Sequence, residues 1–242
     1  MFDLAKFTLR DMTELGAVLR KIGDDATSME GVANRVVRYL YKNLVDPQTG
    51  RPECALVRFF KTHPYAELES ELQEFALGML EDPGAAVPDM KCLTLLATAG
   101  ERPEWNARRS SAAHRAIPLA SEEIVSQAPM ISRLLGELGV RVDALLRQSP
   151  ELLVEPEPSS FNVFYVRHAI GSSCIPAQHD FVKAFGIESV LGFGGMLPTR
   201  DMFVVILFSR IPIPRETAEL FRTLALNVKM AALRFDEAVF AR

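Results

Sequence analysis

The stretch that most constrains this chain runs from Gly186 to Ala232: a glycine stop, two apolar runs joined by a short polar turn, and a long amphipathic helix. Ser189–Leu197 (SVLGFGGML) and Met202–Ser209 (MFVVILFS) flank Pro198-Thr199-Arg200-Asp201. Two β-rich runs on either side of so short a turn predict an antiparallel hairpin. Pro214 then stands at a helix start, where its missing N–H is harmless. The helix it opens carries Thr217, Phe221, Leu224, Val228, Ala231, Phe235 and Ala238 at intervals of 4, 3, 4, 3, 4 and 3 residues, the coiled-coil period. Phe221, Leu224, Val228, Ala231 and Phe235 are therefore expected to form a dimer seam, a weak one where Thr and Ala occupy it.

Ahead of this stretch the chain reads as helices and strands. Leu9, Met12, Leu15, Leu19 and Ile22 recur at helical spacing until Gly23-Asp24-Asp25. Thr27-x-x-Glu30 has the form of a capping box for a second helix, striped by Val32, Val36, Leu40 and Leu44 and ended by the turn Asp46–Gly50. Cys54–Lys61 is a first strand, with Ala55, Val57 and Phe59 on one face and Arg58 and Lys61 partly off it. Leu68, Leu72, Phe75 and Met79 mark a short helix, Cys92–Thr98 a buried strand, and Ile117–Leu119 a short strand. Ser121 caps a helix bearing Ile124, Ile131, Leu134, Leu135 and Leu138 and stopped at Gly139. Beyond the Pro/Glu-rich linker Ser149–Ser160 come a strand, Phe161–Val166, and a short helix ending at Gly186.

Phe185-Gly186-Ile187-Glu188-Ser189-Val190-Leu191, followed by the apolar strand Phe203–Phe208 and the helix Ile213–Ala225, resembles a GAF domain. The resemblance implies an α+β sandwich: a central antiparallel sheet of about five to six strands, N- and C-terminal helices on one face, and a ligand pocket on the other. It also implies terminal helices that pair with those of a second copy, as a homodimer, and a place upstream of a kinase or cyclase in two-component or related signal transduction. Residues 1–242 then read as one GAF-like domain, with N-terminal helices over 1–50, an atypical insertion over 84–160 and a signalling helix over 210–242.

Composition excludes several classes. With 27 basic and 31 acidic residues, net charge −4, no overall field draws in nucleic acid or an anionic membrane. No window approaches the ~20 apolar residues of a membrane span, and the N-terminus has no signal-peptide core. Three cysteines without metal spacing suit a reducing compartment, so a cytoplasmic location is expected.

Within the insertion, Trp105, Arg108, Arg109, His114 and Arg115 make a cationic knot. Arginine grips phosphate and carboxylate in bidentate fashion, so this knot is the best polar candidate for an anionic ligand, beside its plainer reading as a solvated loop. Trp105 could stack on that ligand or pack beneath the loop. His168, Cys174 and His179 offer soft donors for haem or a metal, or a reactive thiol, with no fourth ligand in view. Bilin-binding GAF relatives attach chromophore at a Cys followed directly by His; no cysteine here has that neighbour, which sets bilin aside. GAF-type methionine sulfoxide reductases use close cysteine pairs, also missing. Gly192-Phe193-Gly194-Gly195 lacks phosphate-loop spacing and suits a strand that bulges or lies close to a ligand. No catalytic set emerges. A non-catalytic ligand sensor is expected first, with a haem or thiol redox sensor, or a ligand-free interaction module, as alternatives.

Overall fold

A computed structural model of the protein describes residues 1–112, 114–142, 145 and 162–240; the linker Ser149–Ser160 and Phe161 lie outside the described residues. At its centre is β1 (Cys54–Pro64), paired antiparallel on one edge with β2 (Lys91–Gly100) and on the other with β6 (Met202–Ser209). β3 (Ala116–Leu119) extends one side, and β5 (Ser189–Met196) and β4 (Val163–Val166) extend the other, giving the order β3-β2-β1-β6-β5-β4 with every pairing antiparallel. The expected hairpin is present as β5–β6, turned through Arg200 at φ 65° and closed by Leu197 N donating to the Asp201 carbonyl at 2.7 Å.

Glycine in β5 serves packing. A Cβ on Gly194 would lie 2.0 Å from the carbonyl oxygen of Phe203, so only glycine lets β5 and β6 approach here.

The first face of the sheet is covered by α1 (Leu9–Lys21), α2 (Met29–Asn43) and α6 (Arg215–Ala232), whose apolar stripes bury Val57, Phe59, Leu191, Phe193 and Phe203. α1 begins in a reciprocal box between Thr8 and Asp11. α2 is capped by Ser28, which accepts from Gly31 N at 3.1 Å, and not by Thr27 as its spacing with Glu30 suggested.

The second face is also covered. α5 (Pro129–Glu137), the short α4 (Glu122–Ser126) and the segment 169–187 pack on Leu56, Phe60, Leu95, Val204, Ile206 and Phe208. The single helix expected after Ser121 is two, because Pro129 cannot continue α4 and opens α5 instead. α5 is tied to β4 by Glu137, which accepts from Tyr165 N at 2.8 Å, and by Arg133 Nη2, which donates to the Tyr165 carbonyl. α3 (Ser70–Leu77) closes the β3 end over Cys92 and Ala116.

Two expectations about the closing helix change. Phe221, Leu224, Val228 and Ala231 are at most 2% exposed and face the sheet. Their 4-3 spacing is that of a core stripe, which a narrow coiled-coil seam shares. The helix also stops at Ala232, and Phe235 falls in a 3₁₀ turn. The chain then folds back, so that the Ala238 and Val239 carbonyls accept from Met29 N and Glu30 N at the start of α2.

Because β1 is covered on both faces, its cations need partners. Lys61 is 1% exposed and lies 2.7 Å from Asp201, which also holds Lys91 at 2.8 Å and accepts from Thr62 Oγ1. Burial works to raise the Asp201 carboxyl, but the two lysines outweigh it and hold the group below its ordinary 3.8. Its stabilising contribution is complete above that pH and is lost as pH falls through the lower folded-state value. Removing one partner of such a pair leaves a buried charge, so Asp201→Ala is expected to cost about 3–5 kcal/mol in denaturant unfolding, with much of it restored by Lys61→Met on the same background.

Candidate functional site

The cationic knot lies on the loop 101–115, which runs along the edge of β2 that β3 leaves open. Two anchors hold the loop. Asn106 Nδ2 donates to the Gly100 and Arg102 carbonyls, and Leu95 N donates to the Arg115 carbonyl. Trp105 packs beneath it, 4.6 Å from the Phe185 ring and 5.7 Å from Phe181, so this side chain belongs to the wall of the second face.

Most of the knot's charge is already balanced by glutamates. Arg108 is 7% exposed and binds Glu30 through Nε at 2.7 Å and Glu69 through Nη2 at 2.9 Å, with its guanidinium over the Phe240 ring. Arg115 meets Glu71 at 2.8 Å and lies over Phe75. Arg109 extends into solvent, 3.9 Å from Glu69. The arginines named from the sequence therefore do not converge as an open anion site. They fasten the loop to α2, to α3 and to the tail that follows α6.

One cation in this region has no such partner. Arg58 sits in β1 opposite Thr98 on β2 and Ile206 on β6, and Ile206 packs on the second face, so Arg58 points there too. Its Nη2 donates to Ser111 Oγ at 3.3 Å, while its Nε is buried without a partner. Burial alone pushes its pKa down to about 10, and among the described residues no carboxylate pairs with it. The Oγ1 of Thr98 beside it is likewise buried and unpartnered. His114 stands exposed on the loop at φ 60°, near enough that the Arg58 cation adds to desolvation in lowering its imidazole pKa. Arg58 was missed because one arginine in an alternating strand reads as a solvent-facing position.

The soft donors do not assemble. Cys174 is buried, its Sγ 4.0 Å from the Pro129 carbonyl, whereas His168 and His179 are exposed. Among the described residues no three His, Cys, Asp or Glu side chains are grouped to hold a metal ion. Gln178 knits this loop, donating to the Ala169, Ser172 and Ile175 carbonyls and accepting from Gly171 N. His179 follows it in a π-helical turn, Gln178–Lys183.

The fold is a six-stranded antiparallel sheet with helices on both faces. No family model and no curated protein matches the chain. Among solved structures, the phycoerythrobilin-bound GAF domain of a cyanobacterial phytochrome is similar over 92% of this chain and 95% of that one, with 11% identity and a TM-score of 0.39. A bacteriophytochrome of the photosynthetic bacterium R. palustris is similar over 96% of this chain and 40% of that one, with 10% identity and the same TM-score. Likeness at that level says nothing about ligand or activity. Among the described residues, no helix is long and apolar enough to cross a membrane.

All three thiols sit where the thiolate is disfavoured. Burial raises Cys54 strongly, pushes Cys92 up to about 12, and raises Cys174 against the opposing pull of Arg133. Native protein is expected to give no fast reaction with a disulfide dye at pH 8, and all three cysteines should react after denaturation. Prompt labelling of Cys174 in the folded state would restore the thiol-sensor reading.

Proposed function

We propose that the protein is a non-catalytic regulatory domain that holds a small ligand against the second face of its sheet and reports occupancy through α1 and α6, paired as a homodimer. The observation that supports this reading best is the arrangement of those two helices. They run parallel across the first face, with Phe7 on Phe221 at 5.3 Å and Gly16 beside Asn227, where a Cβ would come within 2.8 Å of Nδ2. Arg20 Nε donates to Asn227 Oδ1 further along. Their outer side leaves a groove of about 350 Å³ between Met12, Thr13, Ala17 and Thr223. Leu9, Leu226 and Met230 stand exposed around it, at 65%, 43% and 55%. Two equivalent strips from two copies would cover apolar surface that is otherwise wet.

The coupling route follows from the contacts of the loop. Arg108 leaves the loop 101–115, grips Glu30 at the start of α2 and stacks on Phe240 in the tail that follows α6. A ligand that binds better to one setting of that loop shifts the tail and the helix pair with it, by its differential affinity for the two arrangements. The readout we propose is a kinase- or cyclase-type partner, with no chemistry in this domain.

The test is mass in solution. Light scattering across a concentration series should give twice 26.9 kDa, and Leu226→Glu with Met230→Glu should give a monomer with an unchanged melting transition, since both side chains are exposed. A parent protein that stays monomeric at the highest concentration would remove the dimer from this account.

A further inference from the structure

Behind loop 101–115 the sheet carries one cation that no carboxylate meets among the described residues. Every other cation of the loop's packed surroundings has a carboxylate within reach: Arg108 has Glu30 and Glu69, Arg115 has Glu71, Arg109 has Glu69, and Lys61 and Lys91 share Asp201. Among the described residues Arg58 has only the neutral Ser111 hydroxyl, although it lies mid-strand in a sheet covered on both faces. Taking even part of a guanidinium out of water without a counter-charge is costly, and Arg58 is half-buried, with its Nε fully so. Its own Nε and the Thr98 Oγ1 beside it are buried with no partner among the described residues. A water molecule would satisfy these dipoles, but it brings no charge.

We propose that Arg58, Thr98, Ser111 and His114 form a binding site for a small oxyanion, the phosphoryl or carboxylate group of a ligand that enters beneath loop 101–115. Arg58 supplies the charge and a fork that matches two oxygens of such a group. Thr98 and Ser111 supply hydroxyls that can turn to donate. Ser111 and His114 stand on the loop and Arg58 and Thr98 on the sheet, and the left-handed backbone of His114 at φ 60° is the strained position that seating an anion would use. The site differs from the Arg108–Arg115 cluster in that no carboxylate among the described residues meets its cation.

The experiment follows thermal unfolding of the full chain in inorganic phosphate, in acetate, and in chloride at matched ionic strength. For a chain of this size, saturating oxyanion should raise the melting temperature by about 3 °C over chloride. A rise with phosphate alone assigns a phosphoryl group, and a rise with acetate alone assigns a carboxylate. Arg58→Met should lose the anion-dependent rise and, in chloride, melt at least as high as the parent, because it removes a half-buried cation that no carboxylate meets among the described residues while keeping the apolar stem. A parent with no anion-dependent rise overturns the proposal. So does an Arg58→Met protein that keeps the rise, or one that melts well below the parent or fails to fold, since Arg58 would then be structural. Oligomeric mass is a separate readout, so loss of this site and loss of the dimer are told apart.

Discussion

The fold depends on keeping β1 covered on both faces while it carries two cations. Arg58 and Lys61 are three residues apart in a regular strand and so point to opposite sides of the sheet. Lys61 turns to the first face, where Asp201 from the β5–β6 turn and Asp236 from the tail of α6 approach it at 2.7 and 3.8 Å. That contact ties the hairpin, the central strand and the chain after α6 into one unit. Arg58 turns to the second face and meets hydroxyls. One cation is spent on holding the structure together, and the other is left for a ligand.

The tail after Ala232 gives this asymmetry a consequence. Its carbonyls occupy the first amide groups of α2, Asp236 accepts from Thr199 at 2.9 Å, and Phe240 sits between His63 and Arg108. His63 is held neutral there, with its pKa near 4 through burial and the neighbouring Lys61 cation. The end of α6 therefore touches the same arginine that anchors loop 101–115. The loop that would close over an anion and the helix that would report it are two contacts apart, with no long relay between them.

Much of this was legible in the chain. The β5–β6 hairpin declared itself because two apolar runs flank a four-residue polar turn, and the strands at Cys54, Cys92, Ile117 and Val163 stand where alternation and β-rich composition put them. The errors have physical causes. A helix that lies on a sheet and one that lies on a partner helix share nearly the same apolar spacing, so Phe221 to Ala231 read equally well as core or as seam. Thr27 and Ser28 are both good caps, and only the local backbone chooses Ser28. The loop arginines looked free because their glutamates, Glu30, Glu69 and Glu71, lie some 35 to 80 residues earlier in sequence. Arg58 was invisible for the converse reason: its significance is a partner it lacks, and sequence shows only what is present.

Occupancy beside Arg58 should be felt by the tail of α6. Hydrogen exchange read by mass spectrometry, with and without saturating oxyanion, measures it directly. The account predicts slower exchange in two separate stretches, residues 101–115 and 233–240, with the Met29 and Glu30 amides following the tail that they bond. Slowing confined to the loop, with the tail unchanged, would contradict it and leave a binding site without an output.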